Sequence, residues 1–143
     1  MPLAEITSKE AFEQATVEYL AELYETEPVM ATSMGVHDYD GRLPNLSQYA
    51  IDDRLRAKRA YLHKIDKISL VGMDTDSRID IRLARSVLQM EIVELEQIRP
   101  YHTMPTKYLD DVLSGLSYLV VRDYAPVEER AEGLGHVIGP GQD

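Results

Sequence analysis

Residues 76–99, DSRIDIRLARSVLQMEIVELEQIR, decide the fold class. Ile79, Leu83, Val87, Met90 and Val93 recur every three or four positions along one side. Ile81, Ala84, Leu88, Ile92 and Leu95 populate another. That period belongs to an α-helix. A helix apolar around much of its circumference is expected to be covered on more than one side, so this one is read as central. Gly72 breaks the chain before it, Asp74 or Thr75 can cap it, and Pro100 ends it.

The same pattern extends in both directions. Upstream, Ser47 can cap a helix to about Ser69, in which Ile51, Leu55, Leu62 and Ile65 follow a near-heptad. Its polar side is basic: Arg54, Arg56, Lys58, Arg59, Lys64 and Lys67. Before that, Thr7 and Glu10 fit a capping box opening a helix to about Glu25, with Phe12, Ala15, Tyr19, Leu20 and Leu23 on one face. Pro28 suits the first position of a two-turn helix that Gly35 can close in the left-handed conformation. Residues 36–46 read as loop, with the Asp40-Gly41 turn signal and Pro44.

Downstream, residues 101–104 read as a short loop. Pro105 opens a helix in which Tyr108, Val112, Leu116 and Leu119 line up and Gly115 allows a close approach. Residues 122–125 form a joint, and Pro126 begins a helix with Glu128 and Glu129 in its first turn, where the dipole favours acids. Gly133, Gly135, Gly139, Pro140 and Gly141 predict that this last helix fails early. No strand pattern or repeat is seen. The expected fold is all-α: an antiparallel bundle of about four long helices plus short ones, part of a larger helical protein.

Composition narrows the chemistry. A net charge of −10 repels phosphate backbones, so nucleic acid is not expected as a partner. No cysteine is present, which removes disulfides, thiolate metal sites and a thiol nucleophile. No apolar run approaches the roughly 20 residues of a membrane span. The first fifteen residues lack the basic and apolar regions of a signal peptide, so a cytoplasmic location is the expectation.

Residues 28–47, PVMATSMGVHDYDGRLPNLS, gather the unusual choices. His37, Asp40 and Arg42 stand in one turn-rich loop after a glycine-closed helix. Such a mount can carry side chains to a cleft. The three could bind a charged peptide end or each other; Asp40 could equally hold the loop by accepting backbone N–H bonds, with Arg42 nearby. The four histidines, His37, His63, His102 and His136, have no chelating spacing, and HExxH is absent. His63 is expected at the surface, and His102 as structural or pocket-lining. No GxSxG is present. The neighbouring acids Asp110 with Asp111, and Glu128 with Glu129, point about 100° apart on a helix and form no dyad. His37 and Asp40 could place two ligands near one ion only in a suitably folded loop; no catalytic residue or metal ligand is expected in this chain. Nine tyrosines against one Phe and no Trp suggest a partly polar interior in which hydroxyls need partners.

The segment at 28–47 resembles the opening of the bacterial family known as domain of unknown function 885. Pro28, Ala31, Thr32 and Gly35 match its "P-x-x-A-T-x-x-G"; His37, Tyr39 and Asp40 match "H-x-Y-D"; and Leu43, Leu46 and Ser47 match "L-x-D-L-S", with Asn45 for the more usual Asp. Further similarities come in order along the chain: residues 76–80; Arg99 and Pro100 with Pro105 and Tyr108, Met104 standing where Asn is common; residues 114–116; and residues 122–126 with Glu129 and Arg130.

The resemblance implies an N-terminal helical region, 1–132, of a longer metallopeptidase-like protein, followed by a divergent Gly-rich tail, 133–143. It implies zinc and an HExxPGH motif in a part of the parent not contained here, and hence no catalysis by this chain alone. The expected role is one wall of a substrate cleft, with His37, Asp40 and Arg42 at its edge. The expected partner is the missing C-terminal region, or a second copy. The alternative is a standalone helical binding or oligomerisation module.

Overall fold

The computed structural model describes residues 6–139. It is all-α, with no strand among the described residues, as the period-3.6 patterns require. Among them, no helix is long and apolar enough to cross a membrane. The chain divides into two compact units.

The first unit comprises residues up to Glu22 together with Ile51–Arg99. It holds most of helices α1 (Ser8–Thr26) and α3 (Gln48–Asp66), and all of α4 (Thr75–Val93). The capping box closes as expected. The Glu10 N–H donates to the Thr7 hydroxyl at 3.2 Å, and the Thr7 N–H donates to the Glu10 carboxylate at 2.9 Å. Asp74 caps α4, accepting from the Ser77 N–H and hydroxyl at 2.8 Å each. The core groups Ala15, Tyr61, Ile65 and Leu88, with Phe12, Tyr19 and Leu62 packed against it. Burying a side chain such as Ile65 contributes about 2 kcal/mol.

The tyrosines in this core find hydroxyl partners. Tyr19 and Tyr61 stack with centroids 4.4 Å apart, and the Tyr61 hydroxyl lies 2.8 Å from that of Thr16. Burial pushes the Tyr61 phenol upward.

The basic side of α3 is not uniformly solvated. Arg54 and Lys58 are buried. Lys58 extends inward, donating to Glu91 at 2.9 Å and to the Tyr19 hydroxyl at 3.1 Å. A long lysine stem covers apolar surface while its ammonium seeks charge, so a basic letter on a helix does not fix exposure. Outside, Arg59 pairs with Glu96, Lys64 with Glu18 and Arg85 with Asp66. Such exposed pairs add little stability, because water screens them.

Helix α4 departs from expectation on three counts. Only one face is covered, the one carrying Ser77, Ile81 and Leu88. Its regular part stops at Val93 and passes into a π turn, Glu94–Ile98, closed by the Arg99 N–H to the Glu94 carbonyl. Arg99 then takes a left-handed conformation, φ 51°, the conformation in which helices commonly end, ahead of Pro100.

The second unit comprises Leu23–Ala50 and the chain from Pro100 onward. It contains the last turn of α1, α2 (Pro28–Ser33), a single 3-10 turn at His37–Tyr39 inside the expected loop, α5 (Pro100–Thr103), α6 (Thr106–Val121) and α7 (Val127–Ile138). Where a loop was expected at 101–104, Pro100 starts a helical turn with Tyr101 buried beneath it. The Gly115 approach is realised: a Cβ there would lie 3.3 Å from Val29 of α2.

The last helix does not fail early. It runs through Gly133 and Gly135 to Ile138. Gly133 is buried beside Leu119, and a Cβ on Gly41 would meet the Gly133 carbonyl at 2.7 Å. Close packing of the helix on the loop thus offsets the low propensity of glycine. Pro140 and Gly141 lie outside the described residues.

Candidate functional site

Helix α2 sets up the loop. Pro28 occupies its first turn and is buried. Gly35, at φ 88°, ends it, and the Val36 N–H returns to the Ala31 carbonyl at 2.9 Å. The chain emerges pointing His37 and Asp40 back toward Thr32.

Asp40 is the hub. Its Oδ1 accepts from the Thr32 hydroxyl at 2.8 Å, and its Oδ2 from the Tyr124 hydroxyl. His37 Nδ1 lies 3.1 Å from Oδ2. The carboxylate is thus held by three side chains, not by the backbone N–H groups that its turn position suggested. The His37 imidazole lies flat against the Tyr124 ring. Burial, then the hydrogen bond to Asp40, pushes the Tyr124 phenol up to about 12.

Tyr124 owes its position to Arg130. That guanidinium, in the first turn of α7, donates to the carbonyls of Val120, Arg122 and Ala125 and faces Asp123. It thereby satisfies orphan carbonyls at the end of α6 and in the joint. Arg122 donates to the Ser33 carbonyl at 2.5 Å, tying the joint to the end of α2.

Of the three residues expected at the cleft edge, His37 and Asp40 are brought together. Arg42 is directed elsewhere: it donates to Glu25 at 2.9 Å and sits over the Tyr39 ring. Sequence reasoning did not assign Thr32 or Tyr124 to the site. The available signal was that both lie in the segments that resemble the family pattern.

A fixed His–Asp pair has defined chemistry. With Asp40 accepting from Nδ1–H, the neutral ring keeps Nε2 as its acceptor. His37 is about one-third exposed and Asp40 about half as much, at 34% and 17% of the side chain. Nδ1 also lies 3.3 Å from Asp40 Oδ1, and among the described residues the ring makes no hydrogen bond through Nε2. The ring is therefore held in orientation by Asp40 and Tyr124 while one nitrogen stays uncommitted.

The remaining histidines play other parts. His102 hydrogen-bonds Gln48 at 2.8 Å and is exposed, and His63 is exposed as expected. Asp111 is not a simple solvated charge, since it accepts from Lys107 at 2.9 Å and from the Tyr101 hydroxyl at 3.2 Å. In the first unit, a shallow groove of about 390 Å³ between Ala11, Ala15 and Ile68 has an apolar floor, with Glu18 and Lys64 at its rim. Among the described residues, no group of three or more His, Asp or Glu is placed to hold a metal ion. Zinc therefore finds no donor set in them, and no step is assigned to it.

No family model matches the chain, and neither curated proteins nor solved structures yield a significant match.

Proposed function

We propose that this chain is the non-catalytic N-terminal helical region of a metal-dependent, peptidase-like protein, and that it forms one wall of the substrate cleft. One observation carries the reading. Thr32, His37, Asp40 and Tyr124, drawn from separate segments that resemble domain of unknown function 885, meet in a single cluster. The cluster holds the His37 ring in one orientation and leaves Nε2 without a hydrogen-bond partner, able to accept from a ligand.

On this reading His37 is the contact residue and Asp40 its positioning residue. His37 donates through Nδ1 to Asp40, and its Nε2 accepts a peptide N–H or the amino terminus of a substrate. Thr32 and Tyr124 fix the carboxylate, and Arg130 fixes Tyr124. Arg42 shapes the loop through Glu25 and does not share the contact. Hydrolysis itself belongs to a zinc-type motif in the parent's remaining part. The antiparallel arrangement of the long helices belongs to the same proposal. The apolar stripe Leu109, Leu113 and Val120 on α6, exposed in the second unit, is where that part would pack.

The test is steady-state peptide hydrolysis by the full-length parent. His37→Ala is expected to raise KM about tenfold, with kcat within twofold and metal content unchanged, the pattern of lost ground-state binding. Unaltered kinetics would remove His37 from the cleft. Stoichiometric zinc binding by this chain alone would contradict its non-catalytic role.

A further inference from the structure

Helix α4 buries one face and leaves the opposite one bare. Ser77, Ile81 and Leu88 turn into the first unit. At about 100° per residue, Ile79, Leu83, Val87, Met90 and Val93 fall on the other side. All five are exposed, Leu83 and Met90 by 61% and 63%. Single exposed apolar residues are ordinary, but a continuous stripe along nearly the whole helix marks an interaction surface.

The two edges of the stripe differ in sign. Arg78, Arg82 and Arg85 line one edge, and Asp76, Asp80, Glu91 and Glu94 line the other. Arg85 and Glu91 are engaged within the unit, by Asp66 and Lys58. Arg78 and Arg82 on one edge, and Asp76, Asp80 and Glu94 on the other, carry no side-chain ion pair or hydrogen bond among the described residues.

We propose that this face pairs two copies of the chain, with their α4 helices packed side by side and parallel. Symmetry sets the orientation. A two-fold axis running along the helices keeps them parallel and brings the basic edge of each copy against the acidic edge of the other. Arg78 and Arg82 of one copy then lie level with Asp76 and Asp80 of its mate. A two-fold axis running across the helices makes them antiparallel and sets basic edge on basic edge. Like charges juxtaposed across an interface suppress that pairing, and opposite charges fix the register of the other. A second copy thus supplies both complementary edges at once, around a stripe of five apolar side chains. The inference is independent of the reading of His37, which lies in the other unit.

The experiment is sedimentation of the intact chain across the micromolar range, with variants. The wild type is expected to dimerise, and Leu83→Glu to weaken dimerisation at least ~10-fold by placing a charge in the stripe. Arg78→Glu with Arg82→Glu makes both edges acidic and is expected to weaken it similarly; adding Asp76→Arg and Asp80→Arg is expected to restore it. The chain has no cysteine of its own. Ile79→Cys therefore reports direction, because parallel helices place position 79 against itself near the ~5.5 Å Cα separation of a disulfide, whereas an antiparallel pair overlapping along the whole stripe sets it level with Val93. That substitution keeps a small apolar side chain, so it tests the pairing even if Leu83→Glu perturbs folding. A covalent dimer of Ile79→Cys on mild oxidation supports the proposal. A chain that stays monomeric throughout, a dimer indifferent to Leu83→Glu in a folded variant, or a dimer in which Ile79→Cys does not cross-link would overturn it.

Discussion

The imidazole of His37 lies on the ring of Tyr124, with centroids 3.6 Å apart and planes within 5° of parallel, and both side chains reach the same carboxylate of Asp40. This arrangement fixes a loop to a joint 84 residues away in sequence. It makes the orientation of His37 a consequence of tertiary structure, open to measurement through each of the groups that hold it.

Tyr124→Phe removes one donor from Asp40 while keeping the ring under His37. A single hydrogen bond to a charged group predicts a loss of about 1.5–3 kcal/mol at neutral pH. Alkaline unfolding adds a second signature. The Tyr124 phenol lies near 10.0 in an unfolded chain and is raised to about 12 in the fold. Its contribution is therefore fully present below pH 10 and is lost as pH rises through the folded value. Urea melts between pH 9 and 12 should show a shallower decline in the Phe variant than in the wild type.

Glu91→Ala strips a carboxylate from the buried Lys58 ammonium. Stranding the buried ammonium is expected to destabilise by about 3 kcal/mol, whereas Lys58→Met keeps the stem's volume and leaves only the Glu91 carboxylate, which is one-quarter exposed and open to water, so a smaller loss of about 1 kcal/mol is expected. Denaturant midpoints of the two single variants and the double variant check this. A neutral Glu91→Ala would mean that the Lys58 ammonium reaches water rather than depending on Glu91.

Gly41 adopts φ 76° and faces the Gly133 carbonyl. Gly41→Ala must strain the backbone and push α7 away, at about 1–3 kcal/mol. Hydrogen exchange should quicken selectively in the amides of α7. Uniform exchange across the second unit would argue against that contact.

The Asp74 carboxyl is held below its ordinary 3.8 by the Ser77 N–H, and then by the Ser77 hydroxyl. A depressed acid stabilises the fold above its unfolded value and loses that contribution as pH falls through the folded one. Asp74→Ala should therefore flatten the acid limb of the stability curve below about pH 4, with loss of α4 helicity by circular dichroism. An acid limb identical to wild type would mean that the cap carries no stability.

The features legible in the sequence were local. The Thr7 and Glu10 box, Pro28, Gly35 and Asp74 all depend on residue types within a turn or two of one another. The features that escaped depend on distant partners. Lys58 looks like a surface cation until Glu91, 33 positions on, is brought beneath it. Gly133 and Gly135 look like helix breakers until Gly41 and Leu119 pack against the first of them. The apolar wrap of α4 suggested two covered faces, but periodicity cannot tell a face buried in the fold from one left for a partner. At the site, His37 and Asp40 were legible because they share a loop. Tyr124 and Arg130 were not assigned, because nothing within the loop requires a donor from so far along the chain.

We propose parentage above all: a cleft wall whose catalytic machinery would lie elsewhere in the same protein. The most direct measurement is to sequence the gene beyond codon 143. The expected result is a further stretch of predominantly helical coding sequence carrying an HExxH-type metal motif, in this frame or a shifted one. A downstream sequence with no such motif in any frame would contradict it.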